Sequence, residues 1–366
     1  SEVTGHPAAT IHRTIEWRSD GPQRHGGNPL AADWIIVDEV SMLDQSLAYK
    51  LLCAVKTGTR LLLVGDPHQL PSVGPGNVLG DLLDSGVVPV ARLTKIFRQA
   101  EFSGIPVLSQ AILEGRNPSF PELEGVQFFP IDKGLPAETK QAFVVDRIAE
   151  HFRDTGERMQ VLSPMKSGPL GTKELNRHLR DLYNPDQGQP HWKWFRVGDF
   201  VIQTRNNYDL EVFNGDMGTI VDIALEDDEV TVRVDMDGLL VDYAAEDTED
   251  LEYAWALTIH KAQGGQFPSV CLLSTTDHYV MLKRNLLYTG ITRAERQLFL
   301  ISNAQALAMV RQKTGISHRE TRLATLLRGS DLSSKTEQAA SSVGSHSDPM
   351  QMLMPVNRVA EPFCRF

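Results

Sequence analysis

The residues best suited to chemistry stand where an apolar run ends. The stretch WIIVDEVSML (34–43) carries four apolar residues straight into Asp38 and Glu39. Such a run predicts a fully buried strand, and carboxylates at its end point into the crevice where open α/β sheets bind ligands. Acids in that position can hold Mg²⁺ and position a water for phosphoryl transfer. The alternative is that the pair only caps the next helix.

A second set of polar residues follows the next apolar run. TRLLLVGDPHQL (59–70) is typical of another buried strand, which ends at Gly65-Asp66 and is followed by Gln69. A helix predicted near 44–55 separates the two strands, so they form a βαβ unit whose strand ends share one edge. The amide of Gln69 can accept from a water and donate to a phosphate oxygen. A plain turn of Gly, Asp and Pro would need no Gln, so the two strand ends together favour a site.

Two arginines and one Gly-rich turn are further candidates. Arg98 lies in FRQ and Arg293 in GITRAERQ; a guanidinium there can neutralise charge on a γ-phosphate, although a lone Arg is usually a solvated surface charge. LTIHKAQGGQF (257–267) places Thr258 and His260 before a Gly-Gly turn, which suits contacts with a nucleic-acid strand. The same stretch also fits a helix start capped by Thr258, and helix N-termini themselves bind phosphate.

Composition bounds the class of protein. The 366 residues are 41% hydrophobic and 23% charged, as in an ordinary globular chain of two or three domains. No apolar run is long enough to span a bilayer, so no membrane partner is expected. Cys53, Cys271 and Cys364 lie far apart and show neither a disulfide framework nor a zinc spacing. This predicts a reducing, cytoplasmic location.

The net charge of −11 does not exclude nucleic acid as a partner. Thirteen of the acidic residues lie between positions 222 and 252, beside a single Arg. The rest of the chain carries 35 basic and 34 acidic residues and is therefore close to neutral. A nucleic-acid channel outside that acidic stretch remains open as an interpretation.

The order of apolar patterns predicts an α/β chain with an all-β insertion. Short alternating segments within 195–252 predict a small barrel. Residues 10–17 are typical of a short strand or a helix start, 18–31 of a loop or a hairpin tip, and 90–99 of a strand followed by a turn. Beyond residue 329 the sequence is Ser-rich and aperiodic, which predicts a disordered tail.

Taken together, these segments resemble superfamily-one DNA helicases, most closely the RecD-like branch. The similarity runs in the same order over residues 4–303, and a further stretch, VLSPMKSGPLGTKELN (161–176), is also similar to that branch. The similar stretches are PAATIHR (motif Ia), IIVDEVSM (motif II, the Walker B box), LLLVGDPHQLPSVGPG (motif III), LTKIFRQ (motif IV), YAWALTIHKAQGGQF (motif V) and NLLYTGITRA (motif VI).

The resemblance implies an α/β fold with two RecA-like motor domains of the P-loop NTPase type, the first lacking its amino-terminal part, and an inserted SH3-like barrel. ATP would bind between the motor domains. The implied boundaries are 1–95 for the first motor domain with a strand-separating pin at 18–31, 96–194 and 253–328 for the second, 195–252 for the barrel, and 329–366 for the tail.

The resemblance also implies roles for individual residues. Asp38 would hold Mg²⁺ through water, Glu39 would activate the attacking water, Gln69 would sense the γ-phosphate, and Arg98 and Arg293 would reach that phosphate. The implied nucleotide contacts are Gln69, Arg98, Gly264, Gln266 and Arg293. The implied DNA contacts are Thr10, His12, Pro71, Val73, Lys166, Thr258 and His260.

The implied activity is ATP- and Mg²⁺-dependent unwinding of DNA in repair and recombination, with 5′-to-3′ movement. The implied partners are single-stranded DNA, duplex junctions and the subunits of a helicase–nuclease complex. Two features depart from the family. Gln266 replaces a usual Glu, which keeps hydrogen bonding to a ribose hydroxyl but loses the charge.

The larger departure is that no Gly-x-x-x-x-Gly-Lys-Ser/Thr loop precedes Asp38, although motif I is expected shortly before residue 4. The sequence is therefore expected to be a piece of a longer motor, and residues 1–366 alone are expected not to hydrolyse ATP. The alternative is an ATPase-inactive module that binds single-stranded nucleic acid. A helicase domain of a conjugative relaxase shares the motifs but needs a nuclease domain that this chain lacks.

Overall fold

The computed structural model describes residues 8–93, 104–117, 120, 123–226, 229–313, 319 and 321–329. They group into two compact units. Of the described residues, the first unit contains 8–67, 71–93, 319 and 321–329, and the second contains 68–70, 104–117, 120, 123–226 and 229–313. Arg98, predicted to reach the γ-phosphate, lies outside the described residues, as does most of the predicted tail.

The first unit contains a small parallel sheet. Its elements are α1 (Ile11–Thr14), β1 (Trp17–Arg18), β2 (Gly21–Pro22), β3 (Trp34–Val37), α2 (Gln45–Ala54), β4 (Arg60–Leu63), α3 (Val78–Ser85) and a short helix at Leu323–Leu327. Strands β3 and β4 pair in parallel around helix α2, as the predicted βαβ unit requires. The stretch 10–17 starts a helix, and β1 and β2 form a two-residue hairpin within the predicted loop or hairpin tip.

The prediction that strands β3 and β4 are fully buried was wrong. Trp34 is 56% exposed, Ile36 66% and Leu62 47%, while Val37 is buried. The physical reason is that, within the described residues, these strands form a two-stranded sheet with apolar packing from α2 on one face. The predicted strand at 90–99 was also wrong where it can be seen, because residues 90–93 are irregular.

The second unit is organised around a five-stranded parallel sheet in the order β14-β6-β15-β16-β5. Its strands are β5 (Val126–Pro130), β6 (Gln160–Ser163), β14 (Ala256–Thr258), β15 (Phe267–Ser274) and β16 (Ala294–Ser302). Its helices are α4 (Gly104–Glu114), α5 (Ala137–Thr155), α6 (Thr172–Tyr183), α7 (Arg284–Ile291) and α8 (Ala304–Gln312). Alternate strand residues pack on opposite sides: Leu272 joins the cluster with α4, α7 and α8, and Cys271 joins the cluster with α5 and α6. The sheet is therefore covered on both faces.

An antiparallel sheet in the order β12-β11-β10-β9-β13 interrupts this pattern. Its strands are β9 (Phe200–Gln203), β10 (Met217–Glu226), β11 (Glu229–Met236), β12 (Leu239–Ala244) and β13 (Leu251–Tyr253), and a small ribbon of β7 (His191–Trp192) and β8 (Phe195–Arg196) precedes them. Phe195 and Tyr243 anchor its core. None of the described acidic side chains between 222 and 252 is buried, as expected for a solvated acidic surface.

A buried carboxylate joins this antiparallel sheet to helix α6. Asp199 is fully buried and accepts from Arg180 Nε at 2.9 Å, Asn184 Nδ2 at 2.8 Å and the Arg196 backbone N–H at 2.9 Å. Arg180 Nη2 lies 2.8 Å from its second oxygen. Each carboxylate oxygen of Asp199 therefore faces two donors. These hydrogen bonds offset the cost of removing the carboxylate from water.

Replacing Asp199 with Ala should lower the free energy of unfolding of the second unit by about 3 kcal/mol, because it leaves the partly buried Arg180 without its counter-charge and removes the acceptor of Asn184 and of the Arg196 N–H. Chemical denaturation followed by circular dichroism measures the change. The control is Asp222→Ala, a change at an exposed side chain of strand β10, for which we expect a change within about 0.5 kcal/mol. Equal effects of the two substitutions would show that the buried pair contributes little.

Candidate nucleotide and DNA sites

The acid pair lies in a strained turn at the carboxyl end of β3. Glu39 adopts a left-handed conformation with φ 51° and ψ 41°, and its N–H donates to Asp38 Oδ1 at 2.8 Å. A non-glycine residue in that region costs on the order of 1–3 kcal/mol, and such strain collects at functional sites. The Val40 N–H donates to the Val64 carbonyl at 2.9 Å, which ties this turn to the end of β4.

Gly65 shows how closely the two strand ends approach. A Cβ at this position would lie 3.1 Å from the backbone nitrogens of Val40 and Ser41 and 3.0 Å from Leu79 Cδ2. Only glycine avoids that crowding, so the chain after β4 packs directly against the turn after Glu39. The structure thus confirms that the two predicted strand ends share one edge.

The acid pair fits a magnesium ion of the kind that nucleotide enzymes use. Among the described residues there is no group of three or more His, Cys, Asp or Glu that could hold a metal. Mg²⁺ needs no such cage, because it is usually bound by one or two carboxylates together with phosphates and waters. Asp38 is exposed, and only its Oδ1 is described as accepting from the backbone, which leaves carboxylate oxygen for such an ion.

In the second unit, two residues predicted to be catalytic touch each other. Arg293 Nη2 donates to Gln69 Oε1 at 3.3 Å, although the residues are 224 positions apart. Arg293 is only 2% exposed, and its Nη1 donates to the Gly265 carbonyl at 3.0 Å while its Nε donates to the Thr289 carbonyl at 3.3 Å. The guanidinium is therefore fixed in orientation against the Gly-Gly turn.

The segment that carries Gln69 is anchored on both sides. The Leu70 N–H donates to Thr289 Oγ1 at 2.9 Å, and the Leu70 carbonyl accepts from Gln263 Nε2 at 3.0 Å. His68 meets the ring of Tyr288 edge-on, with centroids 6.4 Å apart. Sequence reasoning missed Thr289 as an anchor of this segment. A hydroxyl in the middle of a helix gives no local signal of such a role.

The remaining predicted nucleotide contacts flank the same turn. Gly264 and Gln266 are both exposed and stand on either side of Gly265, whose carbonyl accepts from Arg293. The next residue, Phe267, donates its N–H to the Arg293 carbonyl at 2.8 Å. The structure thus gathers Gln69, Gly264, Gln266 and Arg293 into one neighbourhood.

Three predicted DNA contacts lie near the carboxyl ends of β6 and β14. Thr258 pairs with Ser163 at the end of the ladder, and Thr258 Oγ1 accepts the Lys261 N–H at 3.3 Å. Residues 259–264 form turns, so the helix start that the alternative interpretation predicted here is not found. His260 is half-buried, and burial lowers its pKa below the ordinary value, which leaves the ring neutral at pH 7. A neutral imidazole has one nitrogen that donates a hydrogen bond and one that accepts, so His260 can offer both.

A carboxylate links Lys166 to this turn. Lys166 Nζ lies 2.6 Å from Glu252 Oε1, and Lys261 Nζ lies 3.1 Å from Glu252 Oε2. Partial burial would raise the pKa of Glu252, but the two ammonium groups outweigh it and hold that pKa below its usual range. Two positive charges on one negative charge leave a net positive patch, which suits a phosphate.

The predicted DNA contacts of the first unit are spread over two segments. Thr10 is exposed and caps helix α1 by accepting the Arg13 N–H at 3.3 Å. The His12 ring contacts that of Trp17 at a tilt of 53°, with centroids 5.1 Å apart, and burial lowers the pKa of the imidazole. Pro71 is half-buried, whereas Val73 is 88% exposed.

Comparison with known proteins identifies the relatives of this chain. Three family models match: an AAA domain over residues 1–128, an ATP-dependent RecD-like DNA helicase SH3 domain over 175–236, and a UvrD-like helicase C-terminal domain over 253–301. The ATP-dependent RecD2 DNA helicase of Deinococcus radiodurans is 37% identical over 85% of this chain and 42% of its own length. The RecBCD enzyme subunit RecD of Mycolicibacterium smegmatis is 32% identical over 87% of this chain and 60% of its own length.

The chain is a homologue of the RecD-like DNA helicases. It spans about half the length of these two relatives. The RecD-like SH3 match overlaps the antiparallel sheet, so the predicted RecA-like α/β fold with an SH3-like insertion is confirmed. The boundaries given for the individual domains stay a prediction.

A solved structure is also similar to this chain. The Pif1 helicase from Bacteroides in complex with ADP-AlF3 and ssDNA aligns with 86% of this chain and 77% of its own, at 17% identity and a TM-score of 0.47. Among the described helices, none is long and apolar enough to cross a membrane.

Proposed function

We propose that this chain is the motor portion of an ATP-dependent DNA helicase that moves 5′ to 3′ along single-stranded DNA. The observation that carries the proposal is the hydrogen bond between Arg293 and Gln69, which brings two distant segments together at the Gly-Gly turn. A guanidinium and an amide so placed suit recognition of a γ-phosphate. Homology to helicases named RecD2 and RecD supports the same assignment.

The acid pair of the first unit serves hydrolysis. Asp38 would hold Mg²⁺, which neutralises charge on the β- and γ-phosphates when it is bound. Glu39 orients the attacking water and takes its proton as a general base. The left-handed turn and the hydrogen bond from Val40 to Val64 fix the backbone at Glu39, so the carboxylate is positioned before substrate arrives.

The polar residues around Arg293 bind the γ-phosphate and the ribose of the nucleotide. Arg293 and Gln69 contact the γ-phosphate, and Arg98 supplies a second guanidinium. The exposed amide of Gln266 donates to a ribose hydroxyl, next to the exposed backbone of Gly264. Loss of the γ-phosphate after hydrolysis removes the charge that these groups face, which is how the site distinguishes ATP from ADP.

The DNA contacts lie in both units, and we propose the domain boundaries given by the sequence. The proposed contacts of the first unit are Thr10, His12, Pro71 and Val73. Those of the second unit are Lys166, Thr258 and His260.

Because one relative is named as a subunit of the RecBCD enzyme, we also propose that the whole protein joins a helicase–nuclease complex.

Binding of single-stranded DNA tests the DNA half of the proposal on this chain directly. Lys166→Ala should weaken binding and reduce the slope of log affinity against log salt by about 0.7, the value for one phosphate contact on a single strand. Fluorescence anisotropy with a labelled oligonucleotide at several salt concentrations measures both. The control is Lys133→Ala, another exposed lysine, which should leave the slope unchanged. An unchanged slope for Lys166→Ala would remove this residue from the DNA path.

Hydrolysis tests the other half. Because no Gly-x-x-x-x-Gly-Lys-Ser/Thr loop occurs in the 366 residues, the assay uses the chain joined behind the P-loop strand, loop and helix of a RecD-like relative, called here the P-loop-extended protein. Its ATP hydrolysis should be stimulated by single-stranded DNA, and Asp38→Ala should remove that activity. DNA binding without any stimulated hydrolysis would favour the binding-module alternative.

A further inference from the structure

One arginine from the carboxyl-terminal part of the chain holds a turn of the first unit by its backbone. Arg319 Nη1 donates to the Gly74 carbonyl at 2.6 Å, to the Gly76 carbonyl at 2.8 Å and to Ser72 Oγ at 3.3 Å. Its Nη2 donates to the Ser72 carbonyl at 2.6 Å. The four acceptors all belong to residues 72–76, and hydrogen bonds from a charged donor are the stronger kind.

The other side of this turn rests on helix α2. The Gln45 N–H donates to the Pro75 carbonyl at 2.9 Å. A Cβ on Gly74 would lie 2.3 Å from Asp44 Oδ2, so the turn approaches the helix as closely as glycine allows. The turn has no strand partner, and its carbonyls depend on these donors for satisfaction. Arg319 and the start of α2 therefore hold the turn in place from two sides.

The turn held in this way exposes the side chain of Val73. Val73 is 88% exposed, whereas its neighbour Ser72 is 4% exposed and bonded at both its hydroxyl and its carbonyl. An exposed valine on a rigid backbone is suited to lie against the face of an unstacked base or a sugar, a contact that does not depend on sequence.

We propose that Arg319 is a positioning residue for DNA binding: it fixes the shape in which residues 72–76 present Val73 to single-stranded DNA, without contacting the DNA itself. The inference rests on the proposed function, because that function supplies the DNA. It adds a residue that lies outside every stretch resembling a helicase motif. No local pattern around Arg319 predicts it, since its acceptors are three carbonyls and one hydroxyl that lie 243 to 247 positions away.

The same carboxyl-terminal segment has separate anchors, which makes the two roles separable. Thr321 Oγ1 donates to Asp81 Oδ1 at 2.6 Å, and Arg328 donates to the carbonyls of Ser85 and Asp84. These contacts are made to helix α3 and its end, not to the turn at 72–76. Removing Arg328 therefore loosens the docking of the segment, whereas removing Arg319 releases the turn.

The test compares Arg319→Ala, Arg319→Lys and the matched control Arg328→Ala in the full 366-residue chain. Hydrogen–deuterium exchange without DNA should show at least about tenfold faster exchange of the Ser72, Val73, Gly74 and Gly76 amides in Arg319→Ala, because the hydrogen bonds from Arg319 that hold the backbone of this turn are lost. The exchange rate in Arg319→Lys should lie between those of the wild type and Arg319→Ala. The single ammonium group of lysine cannot reach all the acceptors that the planar guanidinium group bonds. Arg328→Ala should leave exchange at 72–76 unchanged.

Single-stranded DNA binding then decides the functional part. Arg319→Ala should weaken binding about tenfold with an unchanged salt slope, and adding Val73→Ala to it should cost little more, because the two changes remove one contact. A slope reduced by about 0.7 would overturn the inference, since Arg319 would itself contact a phosphate. Equal effects of Arg328→Ala, or faster exchange at 72–76 with wild-type affinity, would also overturn it.

The outcome separates this inference from the proposed function. If Arg319→Ala binds DNA with wild-type affinity while Lys166→Ala binds it more weakly, the positioning role of Arg319 is wrong and the helicase assignment is unaffected. If the wild-type chain does not bind single-stranded DNA, both fall together.

Discussion

Glu39→Gln in the P-loop-extended protein is expected to reduce DNA-stimulated ATP hydrolysis by about 10²–10⁴-fold, the range for loss of a general base. Nucleotide binding should persist, because the substitution keeps the size of the side chain and removes only its ability to take a proton. Glutamine is close to glutamate in size and shape, so the left-handed turn at this position should survive the substitution. Steady-state turnover gives the rate, and fluorescence of a labelled nucleotide gives the affinity.

The matched control for this substitution is Glu138→Gln, an exposed glutamate in the first turn of helix α5. It carries the same chemical change away from both candidate sites and should leave turnover unchanged. A Glu39→Gln variant with near-normal turnover would contradict the assignment of Glu39, and the base would then have to be sought elsewhere at the same strand ends.

Arg293→Ala should reduce the rate of DNA-stimulated hydrolysis by roughly 10³–10⁵-fold, the range for arginine fingers in phosphoryl transfer. Single-stranded DNA binding should be nearly unchanged, since the described hydrogen bonds of Arg293 go to the Gly-Gly turn, helix α7 and Gln69. The turnover number of the P-loop-extended protein and anisotropy with labelled DNA measure the two quantities.

Gln69→Ala supplies the control for Arg293, because the two side chains are hydrogen-bonded. If they act as one sensor, the double variant should lose much less than the product of the single losses. Thermal unfolding must show that Arg293→Ala folds, since the side chain is buried. A variant that loses DNA affinity but keeps hydrolysis would move Arg293 to the DNA-binding surface.

The sequence predicts the strand ends well because their signals are local. An apolar run that stops at Asp38-Glu39 and another that stops at Gly65-Asp66 place polar residues at one edge of a parallel pair, as found. Burial of β3 was predicted wrongly, since an apolar pattern reports what a residue prefers and not which neighbours cover it. The exposed Trp34 and Ile36 show that difference.

The contacts that assemble the site are not local, and the residues alone do not predict them. Arg293 meets Gln69 across 224 positions, and only the resemblance to a helicase family placed both at one phosphate. Thr289, Glu252 and Arg319 act through backbone atoms or through a second side chain. Such roles depend on tertiary neighbours, so no spacing in the sequence marks them.

Strand displacement by the P-loop-extended protein is the most direct measurement of the central claim, that this chain drives DNA unwinding with ATP. Two substrates are compared, a duplex with a 5′ single-stranded tail and one with a 3′ tail, each with ATP and Mg²⁺. We expect displacement from the 5′-tailed substrate, little from the 3′-tailed one, and none with Asp38→Ala. Tight binding to both substrates without ATP-dependent displacement of either would contradict the account, and unwinding from the 3′ tail alone would contradict its direction.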